Sequence, residues 1–141
     1  QTLQVLFIEC PDEADEGVKR QVLEESYITL ILYDVTDRRS FHEAMMRWYP
    51  ASNAFSPESF KILVGCKVDM VSERSVDLSE MPDIPKMFFV ETSAADRTNV
   101  DLLANIMHLR AHHMKQKATH LLEVQDYHER VHDSDMSFQK M

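Results

Sequence analysis

Apolar and mixed blocks alternate along the whole chain. Residues 2–9, TLQVLFIE, carry apolar side chains at Leu3, Val5 and Phe7 among β-forming neighbours and predict a strand. The next stretch, PDEADEGVKRQVLEESY, is acidic at its start and amphipathic at its end, which predicts a loop leading into a helix from about Glu16 to Glu25. ITLILYDV, residues 28–35, is an almost unbroken apolar run of strand length, suited to a sheet covered on both faces. DRRSFHEAMMRWYP sets Phe41, Ala44, Met45 and Trp48 at helical spacing behind Asp37 or Arg38 as cap, and Pro50 is expected to close this helix. FKILVGC and KMFFVETSA predict two more strands, and SVDLSEMPDIP between them leaves room for one helical turn before Pro82 and Pro85. From Thr98 or Asn99 as cap, Val100, Leu103, Ile106, Met107 and Arg110 keep helical phase in a long helix. The final DSDMSFQKM is expected to be loosely ordered. This alternation predicts an α/β fold around a mostly parallel sheet.

Composition narrows the function. The 141 residues suffice for one domain with a real core, and the net charge of −9 argues against nucleic acid or an anionic membrane surface as partner. No apolar run reaches the roughly 18 residues of a membrane span, and no signal peptide is read. An intracellular place is expected, cytoplasmic or within a cytoplasmic or organellar assembly. Cys10 and Cys66 have no CxxC spacing and are expected to be buried free thiols. His108 with His112, and His128 with His132, have the i, i+4 spacing of a helical metal pair. No carboxylate or thiol cluster completes either set, so a solvated or partner-facing surface and no metal are expected. Asp34 and Asp37 do not read as an acid/base pair, and no catalytic residue is assigned.

Three segments carry more. LILYDVTDRRSF, ILVGCKVDM and FFVETSA occur in this order, each at the end of a predicted strand, with Asp34 and Cys66 32 residues apart. Together they resemble the Ras-type small GTPases, most of all the Rab branch. The resemblance covers residues 1–116 as a partial domain, with 117–141 as a helical extension and tail. It implies a Ras-like three-layer sandwich with a mostly parallel sheet and a long C-terminal helix. It also implies a vestigial guanine-base pocket at Cys66, Lys67, Asp69, Thr92, Ser93 and Ala94. There Asp69 would accept from the N1 and N2 edge of guanine, the Lys67 stem would lie along the base plane, and the amide near Ala94 would meet O6. Cys66 stands where the family carries asparagine, and a thiol is a poor donor and acceptor. One lost hydrogen bond costs about 0.5–1.5 kcal/mol, which weakens binding roughly 3- to 10-fold. Ala95 replaces a lysine common in the family.

The phosphate side departs further. A GxxxxGK[ST] loop needs two closely spaced glycines so that bare amides can approach the anion, and Gly17 and Gly65 lie far apart. Counting back from Asp34 puts the family's DxxG segment on residues 8–11. Ile8 then stands where an aspartate organises Mg²⁺, and Pro11 stands where a glycine N–H meets the γ-phosphate; proline has none to give. Asp12 takes the place of the water-orienting glutamine. The strand and helix that carry the phosphate loop are missing from this text, which predicts a gap in the sheet. Two readings follow. The first is a catalytically inactive Rab-like protein, not an enzyme and without cofactor, serving as an interaction or structural subunit. Other protein subunits would dock through the gap and the helix after Met114, where Leu121, Leu122, Val124 and Tyr127 are apolar points. No nucleic acid partner is expected, and no membrane anchor, because SFQKM holds no prenylation cysteine. The second is a GTP-binding Rab-like GTPase, using GDP/GTP and Mg²⁺, whose phosphate-loop segment is not in this chain.

Overall fold

The computed structural model describes residues 3–139, with the side chains at 127–129 and 131–139 outside that description. Tyr127 and the His128/His132 pair therefore lie outside the described residues. Helix α1 spans Glu16–Glu24, with the Asp15 carboxylate accepting from Gly17 N as its cap. Strand β1, Ile28–Asp34, leads to a helical segment made of α2 (Arg38–Glu43), a π-helical turn (Ala44–Trp48) and α3 (Tyr49–Phe55). Strand β2 is Phe60–Cys66, β3 is Met87–Glu91, and single 3₁₀ turns at Val71–Glu73 and Leu78–Glu80 lie between them. Helix α4 runs from Val100 to Gln139. Among the described residues no helix is long and apolar enough to cross a membrane.

The sheet is three-stranded and parallel in the order β1-β2-β3, with Ile28 opposite Phe60 and Lys61 opposite Met87 opening the two registers. Because side chains alternate, one face presents Ile31, Tyr33 and Leu63 to Phe41, Ala44 and Trp48 of the helical segment. The other presents Ile62, Val64 and Val90 to Leu103, Ile106 and Met107 of α4. Helix, sheet and helix make the three expected layers, with β2 buried on both sides.

Four expectations change. The predicted strand over residues 2–9 is not formed: residues 3–10 adopt no regular structure, and Leu6 is 84% exposed. Strand propensity is realised only against a partner's ladder, and this segment does not lie in the sheet. β1 is accordingly an edge, and its Leu32 is 58% exposed. Pro50 does not close its helix. The preceding turn widens so that Tyr49 N–H reaches Ala44 C=O, and this π-turn accommodates the proline ring while the helix continues to Phe55. Residues 133–139 are helical rather than loose, since no glycine or proline follows Val100 to interrupt the hydrogen-bond ladder. Cys10 and Cys66 are free but only half-buried.

Tyr33 lies in the core at 2% exposure, with its hydroxyl 3.5 Å from Met81 Sδ. Burial, helped by the nearby Glu91 carboxylate, pushes its pKa from 10.0 up to about 12. A folded-state pKa above the unfolded one means stability is complete below pH 10.0 and drains away as pH rises towards 12. Denaturant midpoints measured across that window should fall in the wild type and stay flatter in Tyr33→Phe. Equal slopes in the two proteins would contradict this.

Candidate functional site

Three loops leave the C-terminal ends of β1, β2 and β3 on the same side of the sheet, the usual ligand end of an open α/β fold. At the end of β1, Asp34 Oδ1 accepts from Thr36 N at 2.8 Å and Thr36 Oγ1 at 2.7 Å, closing a tight Asx turn. Its other oxygen, Oδ2, meets Lys67 Nζ at 2.6 Å. Burial raises the Asp34 carboxyl, but the Lys67 ammonium and the Thr36 hydrogen bonds together outweigh this and hold its pKa below the ordinary value. The same contact raises the pKa of Lys67.

Lys67 follows β2 with a φ of 64°, a left-handed conformation that costs an L-residue about 1 kcal/mol or more. That kink turns the chain so that Met70 N reaches Lys67 C=O at 3.0 Å and Val68 N reaches Thr92 C=O at 3.1 Å. In return Thr92 N donates to Gly65 C=O at 2.6 Å, so the loops after β2 and β3 are stitched together. Ser93, fully buried, donates from Oγ to Asp69 Oδ1 at 2.7 Å. The β3 loop is closed beneath it by Asp96, whose Oδ1 accepts from Thr98 N at 2.9 Å and Thr98 Oγ1 at 2.6 Å. Asn99 then donates back to Glu91 C=O at 2.8 Å instead of acting as a side-chain cap.

Lys67, Asp69, Thr92 and Ser93 thus lie together where the loops after β2 and β3 meet. Asp69 is exposed and accepts only from Ser93 among the described residues, so an unpaired carboxylate oxygen is free. The Ala94 and Ala95 N–H groups make no hydrogen bond there either. Cys66 differs. It packs with the α4 side of the core, its thiol 3.9 Å from Val64 C=O, and burial pushes its pKa up. It is a packing group rather than a reactive thiolate. Ile8 and Pro11 are exposed and no hydrogen bond or ion pair joins them to this cluster; the adjoining Asp12 faces Arg47 at 3.8 Å. The Asp34–Lys67 pair escaped sequence reading because it spans 33 positions, whereas the D-x-T of Asp96–Thr98 was a readable turn signal.

Asp34 also makes this region acid-sensitive. A depressed carboxyl contributes stability above its unfolded value of 3.8 and loses it as pH falls through the lower folded value. Thermal unfolding followed down to about pH 3 should steepen below that point in the wild type, and less so in Asp34→Asn. Parallel curves would remove Asp34 from the acid response.

Comparison with known proteins follows from this geometry. A family model described as the Ras family matches residues 12–113. "GTP-binding protein YPT1" from Saccharomyces cerevisiae is 40% identical over 80 residues, covering 54% of this chain and 38% of that protein. "Ras-related protein RABA5c" from Arabidopsis thaliana is 40% identical over 75 residues, covering 50% and 35%. "Ras-related protein Rab-1A" from Dictyostelium discoideum is 37% identical over 76 residues, covering 51% and 37%. The chain therefore spans little more than a third of the length of these curated relatives. Two expectations fall with these matches, that the chain is no enzyme and that it takes no cofactor: the matching model is that of the Ras family, and the Saccharomyces cerevisiae relative, like one from Schizosaccharomyces pombe, is named a GTP-binding protein.

Proposed function

The chain belongs to the Ras family, and on that premise we propose that it supplies the guanine-reading end of a Rab-like GTPase that uses GDP/GTP and Mg²⁺. One observation carries the reading: Ser93 Oγ holds Asp69 Oδ1 at 2.7 Å and leaves the second oxygen free. A carboxylate held this way can accept from the N1 and N2 edge of guanine, a pattern adenine does not offer. The free Ala94 and Ala95 N–H groups face the task of meeting O6. Lys67, tethered to Asp34 at 2.6 Å, would lay its stem along the base plane. Thr92 keeps the loops after β2 and β3 in register, and Cys66 contributes packing in place of an amide.

The phosphate and Mg²⁺ end is a different matter. Ile8 has no side-chain oxygen for a metal and Pro11 no N–H for a phosphate, so no step of the reaction is assigned to either. On this reading that chemistry would be supplied from outside these 141 residues, and a strand supplied with it would pair with the open edge of β1. The exposed Leu121, Leu122 and Val124 on α4 beyond Met114 suit a protein partner, in an intracellular setting.

The test is nucleotide content. Intact protein purified without added nucleotide is denatured, and the supernatant is chromatographed for GDP and GTP. Near-stoichiometric guanine nucleotide is expected. An empty supernatant, with no binding of a fluorescent GDP analogue in the presence of Mg²⁺, would defeat the proposal.

A further inference from the structure

A cavity of about 330 Å³ lies at the opposite end of the strands from the base loops. Its size is in the range of small-molecule pockets. It opens between the first residues of β2, the first residues of β3 and the turn of α4 that carries Arg110. Tyr49, Phe60 and Met87 supply apolar wall, and Lys61, Lys86 and Arg110 supply three cations against one carboxylate, Glu58.

None of the three makes an ion pair among the described residues, although the Glu58 carboxylate acts on Lys61. Lys61 is 5% exposed and donates to the carbonyls of Ser56 at 3.0 Å, Ser59 at 3.2 Å and Pro57 at 3.5 Å. Neutral acceptors satisfy its protons but leave its charge in place. The Arg110 guanidinium sits 4.8 Å from the Phe60 ring centroid, and its Nε is buried with no hydrogen-bond partner. A buried donor left without an acceptor costs about 1–3 kcal/mol, more when it is charged, and native proteins retain few. Lys86 stands at the rim with a φ of 67° and forms no ion pair among the described residues. In a chain with 24 acidic side chains and a net charge of −9, two cations facing one cavity without a carboxylate partner call for a ligand.

We propose that this cavity binds a small organic oxyanion, a phosphate ester or carboxylate carried on an apolar or aromatic body. Arg110 and Lys86 grip the anionic group, Lys61 adds its buried charge, and Tyr49, Phe60 and Met87 cover the body. The guanidinium already stacked on Phe60 is pre-oriented to present its fork to an oxyanion. The site is separate from the base loops and does not depend on the reading of them.

The test uses the intact protein at constant ionic strength, set with chloride. Phenyl phosphate and benzoate are titrated separately while the Arg110 Nε–Hε resonance is followed by NMR, assigned by its loss in Arg110→Lys. A saturable shift is expected for at least one of them, with binding at least tenfold weaker in Lys86→Gly. That variant removes a cation while relieving a positive φ, and an unchanged urea midpoint shows that it is folded. Tighter phenyl phosphate binding identifies the ligand as a phosphate ester, and tighter benzoate binding identifies a carboxylate. No shift, a shift that never saturates, or unchanged affinity in Lys86→Gly would overturn the proposal.

Discussion

Replacing Asp69 by alanine in the intact protein is expected to weaken guanine-nucleotide binding at least about a hundredfold. The estimate rests on two hydrogen bonds from the base to a charged acceptor, each worth about 1.5–3 kcal/mol, at 1.4 kcal/mol per tenfold. Ser93→Ala should cost less, about tenfold, because it removes the 2.7 Å support under Asp69 without removing the acceptor. Each variant breaks the hydrogen bond between the buried Ser93 hydroxyl and Asp69, so both should lower the denaturant midpoint modestly, and only Asp69→Ala also removes the acceptor for the base. Fluorescent GDP titrations with urea melts on the same preparations decide it. Wild-type affinity in Asp69→Ala would remove this carboxylate from base recognition.

Gly65→Ala is expected to destabilise the fold by about 1–3 kcal/mol, the usual cost of forcing extra volume into a packed core. The position has ordinary backbone angles; the constraint is space. Tyr33 pairs opposite Gly65 in the sheet, and a Cβ built there would lie 2.8 Å from Tyr33 Oη, 3.0 Å from its Cζ and 3.2 Å from Val35 Cγ1. None of these atoms is the tip of a mobile chain. The Tyr33 ring is also wedged edge-on against Phe41, with centroids 5.0 Å apart. Tyr33→Phe removes the nearest atom and leaves the other two, so the double variant should recover part of the loss. A double-mutant cycle on urea midpoints would show this as non-additivity. Additive losses would mean that the ring moves aside. Because Gly65 C=O accepts from Thr92 N, the strain should reach the base loops, and a weaker nucleotide affinity should accompany the lower midpoint.

Local pattern carried much of this molecule. β1, β2 and β3 were legible because each is a short apolar run, and burial on both faces of a parallel sheet demands that. The loops at Asp34, Cys66–Asp69 and Thr92–Ala94 were legible through their order and their places at strand ends. What could be misread was consequence. The departures at Ile8 and Pro11 suggested an inactive chain, yet they were weighed in a segment spanning little more than a third of its relatives' length.

Local chemistry by itself determined the strands, the helices and the residue types available at the loop ends, since side-chain periodicity and turn chemistry act over a few neighbouring positions. Only the tertiary structure decided that residues 3–10 stay out of the sheet, that Pro50 sits within a helix, and that Asp34 seizes Lys67 from 33 positions away. It alone left Arg110 Nε buried without an acceptor. Each of these depends on a partner distant in sequence: a ladder to join, a widened turn to accommodate a ring, an opposite charge to meet or to lack.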